Sequence, residues 1–337
     1  MRRYLILIGV LASTALILLA ACGGDGADTP PASPTAIVTP TVARAAETVC
    51  ASPPANRRGT VETELLTELS GLAASRSQPG VLWAHNDSGD IARIFAMTDD
   101  GRHLGAYTVP SVQAIDWEDM ALGPGPVDGK DYLYLGDIGD NAGQRSEITV
   151  YRVREPDAGS DGELTDVEAL VLQYPDRPHD AEVLLVDPLD GNIYIITKEI
   201  AGGPSTVFRA PGIAAQVTVL EEVATVDFQA LENAVEPPQD AGPLVLNLGW
   251  LPTGGDVAPD RSAVAIRTYG AVWVWELRGS AELWQAFASE PCEAPSAIEP
   301  QGEALAFDAA GAGFYTASEG LNPPLYYTGP ERTSSIR

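Results

Sequence analysis

Five times between residues 70 and 319 the sequence sets a run of small and apolar residues before an aromatic run. The first type reads SGLAAS at 70, WEDMALG at 117, DAEVLLVD at 180, GGDVAPD at 254 and GEALAFD at 302. The second reads VLWAHND at 81, YLYLGD at 132, NIYIITKE at 192, AVAIRTY at 263 and GFYTASE at 313. Turns such as DPLDG, PDRS and DAAGAG suit the tight hairpins between them. Third runs follow as ARIFAMT, ITVYRVR, STVFRAP, AVWVWEL and PLYYTG, and fourth runs as LGAYTVP, ALVLQYP, VTVLEEVATV and ELWQAF. Helical periodicity is almost absent. A repeated unit of three to four antiparallel strands is the grammar of a β-propeller blade, so an all-β propeller is expected.

Equivalent first-strand positions fall at Gly71, Asp119, Glu182, Asp256 and Glu303, with spacings of 48, 63, 74 and 47 residues. The long third interval has room for a sixth, degenerate blade. It holds only one convincing strand, VLNLGWL, so five blades with an insertion is the expectation. The last unit lacks a fourth strand. TVETELLTEL at 60–69 is placed to supply it, closing the ring and removing an open edge. Cys50 precedes that segment and Cys292 precedes the final blade, so a disulfide between them would lock the ring. The chain-entropy model gives such a long loop roughly 4 kcal/mol.

The first residues bear on location. Arg2 and Arg3 precede an apolar run, Tyr4 to Ala21, which fits a signal peptide over 1–21. Its end, Leu19-Ala20-Ala21-Cys22, resembles the lipobox of bacterial lipoproteins. The resemblance implies cleavage before Cys22, a lipid on its sulfur and a protein anchored to the outer face of the cell membrane. Residues 22–58 are dominated by Pro, Thr, Ala and Ser and read as a disordered tether, which leaves 59–337 for the propeller. An exported compartment permits the Cys50–Cys292 bridge. The formal charge is −27, and loss of Arg2 and Arg3 leaves 18 basic against 47 acidic residues, −29. Nucleic acid and anionic lipid headgroups are therefore poor partners.

The propeller geometry sorts the polar residues. The starts of first strands and the ends of second strands share one face of the ring. Asp187, Asp190, Asp260 and Asp308 lie in turns on the other face, as turn formers. Asp119, Glu182, Asp256 and Glu303 occupy equivalent starts, with Glu118 competing with Asp119 for the register. Carboxylates gathered round one axis repel unless a proton or cation neutralises them, and Ca²⁺ takes such oxygen ligands. The alternative is that each acid caps backbone amides of the next blade. The ends of second strands add Asn86, Asp137, Glu199, Thr268 and Glu319 as a substrate-binding rim. His85, His179, Lys198 and Arg267 stand beside these positions as candidate catalytic groups, and Trp117 and Trp250 as pocket walls. Two cations with a general base suit a phosphorylated or carboxylated substrate. The loop GDIGDNAGQR, 136–145, fails the EF-hand spacing, and no helix follows it to make a phosphate cradle.

With first strands reading GEALAFD and DAEVLLVD, the chain resembles bacterial phytase-like or esterase-like β-propellers and, more loosely, calcium-dependent propeller hydrolases. The resemblance implies a Ca²⁺-supported site at the channel mouth, with Glu182, Asp256 and Glu303 at the acidic positions and phosphoesters as substrates. The expectation is thus a membrane-anchored propeller with a cation site and hydrolase activity. Its alternative is a non-catalytic propeller that displays loops to a protein or glycan partner.

Overall fold

A computed structural model describes residues 45–211, 217–279 and 281–330. The signal segment, Cys22 and the tether up to residue 44 lie outside the described residues. Five antiparallel sheets form the blades of a β-propeller. Their inner strands are Leu69–Ala74, Trp117–Pro124, Ala181–Val186, Pro252–Val257 and Gly302–Phe307. The second strands are Val81–Asn86, Asp131–Asp137, Ile193–Thr197, Ala263–Thr268 and Phe314–Ser318. In the first and second blades a short fifth strand is added in parallel on the outer edge. Gly162–Glu163 pairs with His103–Thr108, and Thr218–Val219 pairs with Glu168–Gln173. Each of these strips comes from the following blade's chain, so neighbouring blades cover each other's open edges.

The small residues of the inner strands let five strands crowd round one axis, while the larger apolar side chains fill the wedges between blades. The core accordingly has one cluster per blade junction, with a smaller sixth under the insertion. Tyr134, Leu184 and Phe208 pack between the second and third blades. Ile196, Ile266 and Trp275 do so between the third and fourth, and Leu72, Phe95 and Tyr315 between the fifth and first. Full burial of each large side chain contributes about 1.5–3 kcal/mol.

The ring closes as a composite blade, at a different segment from the one expected. Asn56–Thr60 pairs antiparallel with Pro324–Thr328, with Asn56 opposite Tyr327 and Thr60 opposite Pro324. Residues 61–68 must instead travel from this outer edge to the first inner strand, and they bury Val61 and Leu66 on the way. Helix Ala45–Cys50 precedes the closing strand, and the helix with the first three residues of that strand lies within the stretch read as tether. The Cys50–Cys292 disulfide is present, with 6.2 Å between its Cα atoms.

Two other segments depart from their strand reading. ELWQAF forms a 3₁₀ helix, Leu283–Ala288, started by a capping box between Glu282 and Gln285. Leu283 and Ala286 bury one face of it, and Cys292–Ala294 is the fourth strand of that blade. VLNLGWL lies in the insertion, where Pro243 opens helix Pro243–Leu248 at a position that needs no N–H donor. The insertion is helical, with Phe228–Glu232 as its other helix, and five blades with an insertion is the observed count.

Every inner strand carries a register shift near its start, against the end of its second strand. The extra residue is Glu118 in the second blade, Glu182 in the third, Thr253 in the fourth and Glu303 in the fifth; Ser70 and Gly71 fall in the bulge of the first. A bulge re-aims the side chain it carries. These five bulges define one face of the ring.

Candidate functional site

Three of the five bulges carry glutamate, and these three converge on acidic neighbours. Carboxylate oxygens of Glu118, Asp180 and Glu182 lie within 4.8 Å of one another, as do those of Asp87, Asp116 and Glu118, and those of Asp87, Glu303 and Glu319. Asp87 and Glu118 are each shared by two trios, so seven carboxylates form one continuous arc at the channel mouth. Glu118, Glu182 and Glu303 are buried, with exposures of 1–3 %. Among the described residues no hydrogen-bond donor reaches Glu118 Oε2 or Glu303 Oε2. Tyr269 Oη donates to the other oxygen of Glu303 at 3.0 Å. Lys198 Nζ forms an ion pair with Glu182 and lies 5.6 Å from the centre of the Tyr269 ring.

The electrostatics follow from burial and crowding. Burial, followed by the charge of Glu182, pushes the Glu118 carboxyl well above the usual carboxylate range. Burial, then Glu303, pushes Glu319 up to about 10. Asp87 rises to about 7, chiefly through burial and with contributions from Glu303 and Asp116. Burial works against the Lys198 ammonium, but contact with Glu182 outweighs it and holds the proton on the lysine. The arc thus gathers seven carboxyl groups round one lysine among the described residues, and burial with mutual repulsion keeps protons on part of them when no cation is bound.

The loop GDIGDNAGQR builds the support for this arc. Asp137 is fully buried, accepts from the amides of Ile115 and Asp116 at 3.2 Å each, and pairs with Arg145 at 2.8 Å. The amide of Asp140 donates to Asp180 Oδ1 at 2.8 Å. The loop therefore orients Asp116 and Asp180, two members of the arc. Gly139 makes room for them: a Cβ there would lie 2.0 Å from Glu118 Oε1 and 2.6 Å from Asp116 Oδ2.

The four carboxylates expected to share one axis divide into two pairs. Glu182 and Glu303 belong to the arc. Asp119 and Asp256 are displaced from the bulge register and lie in the channel wall. Asp119 accepts from the amides of Met120 at 2.8 Å, Leu184 at 3.0 Å and Gly255 at 3.1 Å, stitching three blades together. Asp256 accepts from Val257 at 2.7 Å and Phe307 at 2.8 Å, joining the fourth blade to the fifth.

The four candidate catalytic groups are held by different partners. His85 is fully buried, edge-on to Trp117 with 5.2 Å between ring centroids, and burial lowers its pKa. Its ring fills the space left by Gly71, where a Cβ would lie 2.3 Å from Nε2. His179 bonds Asp176 at 3.0 Å and packs on Tyr174 and Phe208. Arg267 is buried against Glu299, 2.7 Å away, and the carbonyl of Ala304. Only Lys198 of the four contacts the arc among the described residues.

Among the rim candidates, Glu319 joins the arc. Asn86 instead ties the loop at 65–68 through Glu68 N and Leu65 O, and Glu199 accepts from Thr197 Oγ1. Trp117 is core, and Trp250 packs against the insertion. Asp87, Asp116, Asp180, Gly139 and Tyr269 were absent from the sequence-based set. Asp116-Trp117-Glu118 and Asp180-Ala181-Glu182 repeat one Asp-x-Glu pattern at the same place in successive blades, and Gln301-Gly302-Glu303 varies it. That repeat was the available signal.

No protein-family model matches this chain, and no curated protein matches it. Many solved structures are similar to this chain, two of them as follows, both at low identity. Raptor from Chaetomium thermophilum aligns with 12% identity and a TM-score of 0.41 over 84% of this chain, which spans 30% of the Raptor chain. A chain of a nidogen–laminin complex aligns with 15% identity and a TM-score of 0.40 over 75% of this chain and 73% of its own length. Likenesses this distant carry no functional argument, and the resemblance to calcium-dependent propeller hydrolases stands on its short motifs alone.

Proposed function

We propose that this protein is an exported, lipid-anchored binding propeller whose channel mouth holds a hard divalent cation such as Ca²⁺. The observation that carries the reading is the buried, donor-free Oε2 of Glu118, at the corner shared by two carboxylate trios. A buried charged oxygen without a partner costs several kcal/mol, and an oxygen-seeking cation removes that cost. The ligands are Asp87, Asp116 and Glu118, where no lysine intervenes. Glu303 and Glu319 extend the site through Asp87, and Asp180 and Glu182 extend it through Glu118. This differs from a ring of Asp119, Glu182, Asp256 and Glu303, because Asp119 and Asp256 already accept backbone amides. Binding is favoured over ester hydrolysis because His85, His179 and Arg267 are engaged away from the arc.

Cation binding raises stability by mass action, by about 2.7 kcal/mol at a hundredfold excess over Kd. Calcium should therefore raise the unfolding temperature of the wild type but not that of Glu118→Gln/Glu303→Gln. An unchanged wild-type transition removes the cation from the account. Turnover of a broad phosphoester panel by the calcium-loaded protein, lost in the same variant, would restore the hydrolase.

A further inference from the structure

Eleven large hydrophobic residues are substantially exposed among the described residues. Seven belong to the connections on the face that carries the acidic arc, six in loops and Leu246 in helix Pro243–Leu248. These loops either lead into inner strands or leave the ends of second strands. Leu65 and Ile298 precede the first and fifth inner strands, and Ile115 stands next to Asp116 before the second. Ile91, Ile200 and Leu321 follow the second strands of the first, third and fifth blades, a few residues beyond Asp87, Lys198 and Glu319. Leu246 adds the fourth blade through the insertion. Exposures run from 47 to 66 %, and every blade contributes at least one of these side chains. Single exposed leucines need no explanation, but seven on the one face that carries the charged mouth do.

We infer that this face docks a polypeptide partner that inserts a lysine or arginine, flanked by apolar side chains, into the acidic mouth. Long basic side chains suit the layout, because their alkyl stems lie on apolar surface while the charged head reaches polar ground. Such anchors concentrate binding energy at the centre of an interface. Charge selects this occupant. Seven carboxyl groups face the one ammonium of Lys198 among the described residues, so the mouth suits a cationic head group and offers an anion nothing. A second copy would bring an equally acidic mouth, and an anionic membrane surface would be repelled by a chain of net charge −27. The inference goes beyond cation binding, since the mouth attracts a basic group with or without the metal.

The test is selection of a random constrained-peptide display library on the immobilised protein, once with calcium and once with a chelator. The enriched peptides are then synthesised and titrated against the wild type and against Ile91→Ser/Ile200→Ser/Leu321→Ser. Enrichment of a basic residue between aliphatic or aromatic ones, and a loss of affinity of at least tenfold in the variant with its unfolding temperature unchanged, is the expected result. If the triple variant does not fold, Ile200→Ser alone should weaken binding about threefold. No enrichment, enriched peptides without a basic residue, or indifference to the substitutions overturns the inference. So does transfer of the effect to phosphatidylcholine–phosphatidylglycerol vesicles or to self-association in sedimentation. A failed calcium titration bears on the cation reading alone.

Discussion

Asp119 and Glu118 are neighbours in sequence with different tasks. The carboxylate of Asp119 is consumed by three backbone amides from three blades. Stranding buried donors costs about 1–3 kcal/mol each. Asp119→Ala should therefore lower stability by at least about 3 kcal/mol in urea unfolding, and a loss below 1 kcal/mol would show that the stitching contributes little. Lys198 offers a contrast. Its ammonium sits on Glu182 and so occupies the trio of Glu118, Asp180 and Glu182. Lys198→Met removes that tethered competitor and should tighten calcium binding about tenfold by titration; weaker binding would make the lysine a support of the site. The sequence placed Glu182, Glu303, Glu319 and Lys198 on this face but left the register between Asp119 and Glu118 open and favoured Asp119, whereas Glu118 is the residue in the bulge. A bulge inserts one residue without any mark in composition, and a slip of one moves a side chain from the mouth to the wall. The repeated Asp-x-Glu would have fixed the register.

At the scale of elements, the long inner and second strands were legible because their apolar and aromatic runs recur. The outer edge was not. Asn56–Thr60 is short, polar and exposed at its start, so nothing in its composition announces a strand; pairing with Pro324–Thr328 makes it one. Its position gives a sharp expectation. Removal of residues 1–44 should leave a cooperative unfolding transition, whereas removal of residues 1–61 deletes the closing strand and should abolish it or lower its midpoint by several degrees. Two truncations of equal stability would contradict the composite blade. The disulfide acts at the same junction. Cys50→Ala/Cys292→Ala should cost about 2–5 kcal/mol, read as a shift in denaturation midpoint, and no shift would deny the bridge a role in closure.

For the whole molecule, the five-fold arrangement explains why the clustered carboxyl groups gather on one face. The bulges aim glutamates inward at the starts of three inner strands, and the connections on that face carry the exposed aliphatic side chains. On the other face, Asp187 accepts from the amide of Leu189 at 2.9 Å and Asp308 from the amides of Ala310 and Ala312 at 3.0 Å each, the turn-building work expected of those positions. The central claim is that the arc, not the channel wall, holds a cation. Anomalous diffraction from calcium-soaked crystals tests it most directly. A peak is expected about 2.3–2.6 Å from the carboxylate oxygens of Glu118 and its neighbours Asp87 and Asp116. A peak at Asp119 and Asp256, or none at the mouth, would contradict it.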